Sequence, residues 1–264
     1  MARHVTITGS SSGIGRALKA RLEAQGDTVV GIDLREADII ADLGNAEDRR
    51  TLPERVRELS PRGLDAVIAV AGVTLPSPVT VQVNYFGAVD ILRGLRPLLV
   101  SSPAPRAVAV SSFSVTHPFD EELLQAILRE DQEAATKRVA TLAQGLDAPQ
   151  AIAVIYATSK RALSEWIRRE SISDEWAGAG IPLNAIAPGV VNTPMMAAAL
   201  ATPEGRAAAF QGVPMPLNGA AEPESVAALL DWLASAENTH ITGQTIFIDG
   251  GAQATVYEQS RETL

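Results

Sequence analysis

Cysteine is absent from this chain, and histidine is scarce. The missing cysteines exclude disulfides, thiolate nucleophiles and thiolate metal ligands. The three histidines, His4, His117 and His240, are scattered and lack the spacing of a metal site. The sequence therefore predicts no metal centre.

Positive charge and long apolar runs are also lacking. The 264 residues carry a formal net charge of −9, which disfavours nucleic acid and anionic membranes as partners. No apolar run approaches the ~20 residues of a membrane span, and we expect no signal peptide and a cytoplasmic location. The length fits one large domain, residues 1–264, and the 46% apolar content suffices for a sheet buried on both faces.

The stretch 5–33 organises the chain and predicts a strand, a glycine-rich turn, a helix and a second strand. The turn has the spacing T-G-x-x-x-G-x-G, with Gly9 closing the first strand and Gly13 and Gly15 at the entry to the helix. A helix N-terminus behind glycines presents unpaired backbone N–H groups and a partial positive charge. The stretch therefore predicts a site for the pyrophosphate of a nucleotide.

The second strand ends in Asp33, 20 residues past Gly13. A carboxylate at this position can accept hydrogen bonds from both hydroxyls of an adenosine ribose. The same carboxylate would repel a 2′-phosphate at close range. The sequence thus favours NAD over NADP, although Arg16 and Arg35 are near enough in sequence to offer NADP a partial rescue.

Strands and helices alternate along the remaining chain. Apolar stretches typical of buried parallel strands occur at 65–71, 106–112, 182–189 and 244–249. Helical patterns occur at 47–59, 79–100 and 220–234, and a further helix is predicted to open at Tyr156. This alternation predicts an α/β fold, a doubly wound (Rossmann) parallel sheet of about seven strands with helices on both faces.

Two segments depart from the alternation. Residues 113–150 predict a helical insertion with an acidic start at Asp120. Residues 190–219 hold four prolines and three of the four methionines, among them Met195 and Met196. Methionine offers adaptable apolar surface, so this segment is predicted to cover an apolar substrate, although ordinary core packing explains the same residues equally well.

Tyr156 and Lys160 are four residues apart and share one helix face. A phenol has a pKa of about 10 and exchanges protons poorly at neutral pH. A nearby ammonium favours the phenolate and lowers that pKa. Only three of the 22 basic residues are lysines, and one of them stands here. The pair indicates general acid–base chemistry, whereas in isolation it would indicate no more than two surface side chains.

The motifs together resemble those of the short-chain dehydrogenase/reductase family. They are the glycine-rich turn, N-x-x-G at 84–87, the strand end Ser111-Ser112, Y-x-x-x-K at 156–160, Pro188-Gly189 and I-D-G-G at 248–251. The resemblance extends over essentially the whole chain. It implies an NAD-dependent oxidoreductase that interconverts a secondary alcohol and a ketone.

The resemblance also implies roles for individual residues. Tyr156 is the general acid/base, Lys160 binds the nicotinamide ribose and lowers the pKa of Tyr156, and Asn84 supports a water that links Lys160 to solvent. Ser112, preferred to Ser111, holds the substrate oxygen. The implied cofactor-binding residues are Gly9, Ser12, Gly13, Ile14, Gly15, Asp33, Asp42, Leu43, Gly72, Tyr156, Lys160, Val191 and Thr193. The implied substrate-binding residues are Ser112, Tyr156, Met195 and Met196.

One departure narrows the resemblance. Ser112 and Tyr156 are 44 residues apart, whereas most members have a much shorter connection there. The insertion makes the chain similar to a bacterial hydroxysteroid dehydrogenase/carbonyl reductase group within the family, which implies a small apolar alcohol or ketone as substrate. Relatives commonly associate through the helices matching 79–100 and 156–176, and separately through the final helix and strand. An insertion over the first surface implies a homodimer rather than a tetramer.

Two other functions stay open on the sequence. One is an NAD-dependent dehydrogenase of another apolar alcohol, terpene or alicyclic, and the other is a dinucleotide-binding regulator without catalysis. The presence of Asn84, Ser112, Tyr156 and Lys160 favours an enzyme over a regulator. A sugar-nucleotide epimerase would show T-G-x-x-G-x-x-G, which this turn does not match.

Overall fold

A computed structural model describes residues 2–262. The strands are β1 His4–Thr8, β2 Thr28–Asp33, β3 Ile39–Ile40, β4 Ala66–Ala69, β5 Arg106–Val110, β6 Leu183–Pro188 and β7 Thr245–Ile248. They form one parallel sheet in the order β3-β2-β1-β4-β5-β6-β7. The chain starts in the middle of the sheet, winds to one edge and then to the other, so the strand order reverses between β1 and β4. Such a switch point leaves a crevice at the carboxyl ends of the strands.

Helices connect the strands and cover both faces of the sheet. They are α1 Gly13–Ala24, α2 Ala46–Leu59, α3 Pro78–Val81, α4 Ala88–Leu99, α5 Glu121–Leu128, α6 Gln132–Gly145, α7 Ala148–Glu170, α8 Ala197–Leu200, α9 Pro203–Gly212, α10 Pro223–Leu233 and α11 Ala252–Glu262. A π-helical turn, Gln82–Gly87, joins α3 to α4, and a 3-10 turn, Phe113–Thr116, follows β5. Within residues 2–262, every helix is too short or too polar to cross a membrane.

The two faces of the sheet carry separate apolar cores. Val67 and Leu183 pack into the core beneath α2, α4 and α7. Ile68 and Ile186 pack into the core beneath α1 and α10. Because both faces are buried, the central strands read as continuous apolar runs rather than as alternating ones. The predicted fold class, a single doubly wound domain with a seven-stranded parallel sheet, is confirmed.

The helix that carries the Y-x-x-x-K motif begins earlier than its sequence prediction. Tyr156 does not open it, because α7 starts at Ala148. Asp147 caps this start by accepting the backbone N–H of Gln150 at 2.9 Å, and Pro149 suits a first helical turn. Tyr156 therefore lies well inside a rigid helix. The edge strand β3 and the last helix α11 are also absent from the sequence prediction.

The predicted insertion is helical, and it packs on α7. Helices α5 and α6 both contact α7, and they bury Leu123, Ile127 and Val139. The Asp120 carboxylate caps the start of α5 by accepting the backbone N–H of Leu123. The same carboxylate accepts two hydrogen bonds from Arg138 on α6, at 2.9 and 2.7 Å. One carboxylate thus holds the two insertion helices together.

We expect Asp120→Ala to lower the free energy of unfolding by about 2 kcal/mol at pH 7, because it removes a helix cap and a partly buried ion pair. The hydrogen bond from Arg138 holds the pKa of Asp120 below its ordinary 3.8. This stabilisation is complete above pH 3.8 and is lost as the pH falls through the folded-state pKa. Urea unfolding at pH 7 and pH 3 should show the difference between wild type and variant shrinking at the lower pH.

Glu133→Ala is the matched control, since Glu133 pairs with Lys137 on the exposed surface of the same insertion. It should change the free energy of unfolding by less than about 0.5 kcal/mol. Equal destabilisation by the two variants would contradict the role given to Asp120.

Candidate active site

A cleft of about 1170 Å³ opens at the carboxyl edge of the sheet. It exceeds the ~300–1,000 Å³ usual for one small ligand, so a dinucleotide and a substrate could share it. Of the predicted site residues, Asn84 lies outside the lining. The others line it: Gly9, Ser12, Gly13, Ile14, Gly15, Asp33, Asp42, Leu43, Gly72, Ser112, Tyr156, Lys160, Val191, Thr193, Met195 and Met196. Within the described part of the chain, no cluster of His, Asp and Glu side chains could hold a metal ion.

The glycine-rich turn is shaped for a close backbone approach. Gly9 has a φ of 69°, and a Cβ there would lie 2.9 Å from the backbone of Ala71. A Cβ on Gly15 would collide with the carbonyl oxygen of Gly9. Ser12 is the N-cap of α1, and its side chain makes no capping hydrogen bond, so it leaves the first N–H groups of the helix available. This donor set fits the pyrophosphate of a dinucleotide.

Asp33 is held at the end of β2 beside this turn. Its carboxylate accepts the backbone N–H of Ser11 at 2.9 Å and of Leu34 at 2.7 Å. Arg35 and Glu36 line the same end of the cleft, whereas Arg16 is not part of the lining. Two acidic side chains and one arginine thus surround the position expected for the adenosine ribose.

The segment after β6 closes on the glycine-rich turn. A Cβ on Gly13 would lie 3.1 Å from the methyl carbon of Thr193. Val191 is buried at 5% exposure, and both residues line the cleft. The first residues of segment 190–219 therefore lie against the glycine-rich turn at the N-terminus of α1.

Ser112, Tyr156 and Lys160 come together between the end of β5 and α7. The Ser112 side chain lies beside the Tyr156 hydroxyl and acts to lower the pKa of that group. The Ser112 oxygen accepts the backbone N–H of Ser114 at 3.1 Å, so the Ser112 proton remains available for donation. The Lys160 Nζ lies 5.8 Å from the centroid of the Tyr156 ring and donates to the carbonyl oxygen of Val110 at 2.8 Å.

Burial shifts the pKa values of these two groups in opposite directions. It raises the pKa of Tyr156 above 10, an effect that the hydrogen bond with Ser112 partly offsets. It lowers the pKa of Lys160 to about 8. At neutral pH, Tyr156 therefore holds a proton that it can donate, while Lys160 is an ammonium ion beside it.

Asn84 lies behind the cleft and not in its lining. Its side chain is 1% exposed; it donates to the Val73 carbonyl and the Ser159 hydroxyl and accepts the Val73 N–H, at 2.8–3.1 Å. A Cβ on Gly72 would lie 3.3 Å from both the Asn84 Oδ1 and the Lys160 Nζ. Asn84 thus braces the loop after β4 beside Lys160. Its role in supporting a water stays a prediction.

The two serines at the end of β5 have different partners. The Ser111 hydroxyl donates to the Lys160 carbonyl at 3.1 Å and shares a 2.8 Å hydrogen bond with Ser164. Ser111 therefore fastens α7 to β5, while Ser112 faces Tyr156. The geometry agrees with the preference for Ser112, and it adds Ser111 as a supporting residue that the sequence motif alone does not identify.

The far end of the cleft is mostly apolar. Met196 packs on a small core that contains Phe113, Leu200 and Met215, while Met195 remains 46% exposed. His117, which sequence reasoning treats only as an isolated histidine, lies here with its Nε2 at 3.1 Å from the Gly212 carbonyl. Because a carbonyl oxygen only accepts, this nitrogen donates. The contact joins the start of the insertion to the covering segment 190–219.

A doubly wound sheet with a glycine-rich turn and a Ser–Tyr–Lys group at its carboxyl edge defines an oxidoreductase that uses a nicotinamide dinucleotide. A family model described as enoyl-(acyl carrier protein) reductase matches residues 9–253. The chain belongs to the short-chain dehydrogenase/reductase family, as its motifs predict.

Its similar proteins include several hydroxysteroid dehydrogenases. The 3-alpha-hydroxysteroid dehydrogenase/carbonyl reductase of Comamonas testosteroni is 35% identical over 254 residues, 95% of this chain and 96% of the relative. The 3beta-hydroxysteroid dehydrogenase 1 of Eggerthella lenta is 31% identical and covers 94% of this chain and 92% of its own. The crystal structure of the 3-alpha-hydroxysteroid dehydrogenase from Pseudomonas sp. B-0831, complexed with NADH, matches with a TM-score of 0.84 at 35% identity, covering 97% of this chain and 99% of the other.

We expect Lys160→Met to lower kcat by at least about a hundredfold without destabilising the fold. The buried ammonium disfavours folding by about 3 kcal/mol at pH 7, because its pKa falls from 10.5 to about 8. The substitution removes this penalty, but it also removes the hydrogen bond to Val110, which costs about 1 kcal/mol. The free energy of unfolding of the variant should therefore equal or exceed that of wild type, by up to about 2 kcal/mol.

The lysine penalty is full below pH 8 and disappears as the pH rises toward 10.5, so the advantage of the variant should shrink over that range. Thermal unfolding between pH 7 and 10.5 measures it. Lys137→Met is the control, since Lys137 is an exposed residue of the insertion, and it should leave both kcat and stability near wild type. A Lys160→Met protein that is active, or one that is markedly less stable, would contradict this account.

Proposed function

We propose that this protein is an NAD-dependent oxidoreductase that interconverts a secondary alcohol and a ketone on an apolar substrate, in the manner of the 3α-hydroxysteroid dehydrogenase/carbonyl reductases. The observation that carries the proposal is the Ser112–Tyr156–Lys160 group, which lies between the glycine-rich turn and an apolar wall. The names of the two hydroxysteroid dehydrogenase relatives support this substrate class.

Tyr156 moves the proton in this mechanism. In oxidation, the phenolate takes the proton of the substrate hydroxyl, and the carbon loses a hydride. In reduction, the phenol returns that proton to the oxygen that becomes the alcohol. The nicotinamide, when bound, supplies or accepts the hydride. The raised pKa of Tyr156 favours the proton-donating form at neutral pH, so ketone reduction needs no prior ionisation of the residue.

Ser112 and Lys160 support that proton transfer. The Ser112 hydroxyl, next to the Tyr156 oxygen, can donate to the substrate oxygen and hold it near the phenol. Lys160 places a positive charge 5.8 Å from the Tyr156 ring centroid and borders the cleft next to Gly72. The charge stabilises the phenolate, and the same ammonium can hydrogen-bond the nicotinamide ribose.

The substrate end suits an uncharged, apolar molecule. Phe113, Val190, Met195, Met196 and Val213 line it. The covering segment 190–219 contains no lysine and a single arginine, so it offers little to a phosphorylated or strongly anionic substrate.

A panel of steroid, terpene and aliphatic secondary alcohols, read by NADH absorbance, tests the function. We expect turnover on hydroxysteroids and little on small charged alcohols. Turnover confined to terpene or alicyclic alcohols would support the alternative substrate class. NADH binding without turnover on the whole panel would contradict an enzyme and favour a dinucleotide-binding regulator.

We expect Tyr156→Phe to lower kcat by about 10²–10⁴-fold or more, because it removes the hydroxyl that transfers the proton in the proposed mechanism. NADH affinity should change little, since the ring and Lys160 remain. Tyr257→Phe is the control, because Tyr257 is exposed on α11. Initial rates and fluorescence titration with NADH measure both quantities. A Tyr156→Phe protein that keeps more than about a tenth of wild-type activity would refute the role of Tyr156.

We expect kcat/KM to be at least about tenfold higher with NAD than with NADP, because the Asp33 carboxylate would face the 2′-phosphate at close range. Asp33→Ala should narrow the gap by raising the value for NADP. Arg35→Ala should widen it if Arg35 offers the 2′-phosphate a partner. Equal kcat/KM values for the two cofactors in wild type would refute Asp33 as the selecting residue.

We expect a homodimer, because α5 and α6 pack against α7 and cover surface that would otherwise be open to another subunit. The half-buried edge strand β7 and helix α10, with Trp232 38% exposed, leave a second surface that can pair with its own copy. Light scattering coupled to size exclusion measures the mass. A stable tetramer would contradict this prediction.

A further inference from the structure

Arg49, on α2, carries a buried guanidinium group that joins three parts of the fold. Its side chain is 2% exposed, and its Nε donates to the Asp90 carboxylate on α4 at 2.7 Å. Its Nη1 donates to the backbone carbonyl of Leu43 at 3.0 Å, and its Nη2 donates to the Gln132 side chain at 3.3 Å. Gln132 is the first residue of α6, so one arginine connects the cleft lining, the sheet-covering helices and the insertion.

Leu43 is the part of this network that reaches the cleft. It is 6% exposed, and it lines the cleft on the same side as Asp33. A Cβ on Gly87 would lie 3.0 Å from the Cβ of Leu43, so the π-helical turn before α4 packs closely against this residue. The Arg49 bond to the Leu43 carbonyl holds the backbone of the same residue. The position of Leu43 in the cleft therefore depends on contacts outside the cleft.

Arginine suits this position for a physical reason. A planar guanidinium presents donors in a fixed fork, so it can serve acceptors on three separate segments at once, which a lysine ammonium does not do in the same geometry. Burying a charge is expensive, and an apolar side chain of similar size often stabilises a fold as well or better. The buried Arg49 is therefore better explained by its effect on the position of the Leu43 backbone than by any increase in the stability of the fold.

We propose that Arg49 is a positioning residue of the cofactor site, which holds Leu43 at the adenine end and couples that end to the insertion through Gln132. The proposal rests on the proposed function and on the family resemblance, which implies that Asp42 and Leu43 bind the cofactor on either side of its adenine ring. It extends the role of the insertion from covering α7 to supporting cofactor affinity.

The test compares ligands with and without the adenosine half, on the full-length protein. Arg49→Met should weaken NADH and ADP-ribose by about tenfold each, the effect expected when one charge-assisted hydrogen bond is lost. Reduced nicotinamide mononucleotide, which lacks adenosine, should bind with unchanged affinity. At saturating NAD, kcat should stay within about twofold of wild type. Fluorescence titration and competition measure the affinities.

Arg50→Met is the matched control. Arg50 is the next residue on the same helix, is 71% exposed and pairs with Glu47 on that helix, so its loss should leave all three affinities unchanged. Gln132→Ala removes only the insertion arm of the network, and it should weaken NADH and ADP-ribose by about threefold. Arg49→Lys, which keeps the charge, replaces Arg49→Met in the test if the latter does not fold. It should likewise weaken the binding of NADH and ADP-ribose but not that of reduced nicotinamide mononucleotide.

The outcomes separate the inference from the proposed function. Unchanged ADP-ribose affinity in a folded Arg49 variant would overturn the inference, as would an equal loss for reduced nicotinamide mononucleotide, which indicates a general structural defect. A wild-type protein that binds none of the three ligands would refute the proposed function itself.

Discussion

The hydrogen bond from the Lys160 Nζ to the Val110 carbonyl is the contact on which the site depends. It fastens α7 to the carboxyl end of β5, and the bond from the Ser111 hydroxyl to the Lys160 carbonyl fastens the same helix a second time. Because Ser112 lies two residues past the end of β5 and Tyr156 lies one helical turn before Lys160, these two bonds bring Ser112 and Tyr156 to the same side of the cleft. The proximity of Ser112 and Tyr156 is thus a consequence of how one helix docks on one strand.

This docking tolerates a long insertion because the insertion adds to the core rather than interrupting it. It leaves β5 through a 3-10 turn and returns at Asp147, which starts α7. In between, the backbone N–H of Asp120 donates to the Thr158 hydroxyl, and the Arg161 guanidinium lies 4.1 Å from the centroid of the Phe119 ring. Both contacts involve α7 residues close to Tyr156 and Lys160. The 43 residues between Ser112 and Tyr156 therefore pack against the helix that carries the Tyr156–Lys160 pair.

Features that depend on neighbouring residues could be predicted from the sequence, whereas features that depend on distant contacts could not. The glycine-rich turn, Asp33 and the Tyr156–Lys160 spacing follow from local backbone geometry, and the fold class follows from the alternation of apolar strands with helices. The two-residue strand β3 is too short to show a period, and Arg49 looks like any charged residue of a surface helix until Leu43 and Gln132 close around it. The start of α7 at Ala148 has a local sequence signal, because the capping Asp147 is followed two residues later by a proline. The sequence prediction instead places the start of the helix at the Y-x-x-x-K motif.

The opposite pKa shifts of Tyr156 and Lys160 show what burial does to two neighbouring ionisable groups. Burial alone raises the pKa of the phenol and lowers that of the ammonium to about 8, so each neutral form is favoured over the phenolate–ammonium ion pair. The hydrogen bond with Ser112 works against this by favouring the phenolate. A further positive charge near the ring would act in the same direction, and an oxidised nicotinamide carries one. In the mechanism we propose, the protein without cofactor is therefore set for proton donation, and the direction that requires phenolate depends on the charge that the cofactor brings. The burial that raises the pKa of Tyr156 makes this residue a poor base until that charge is present.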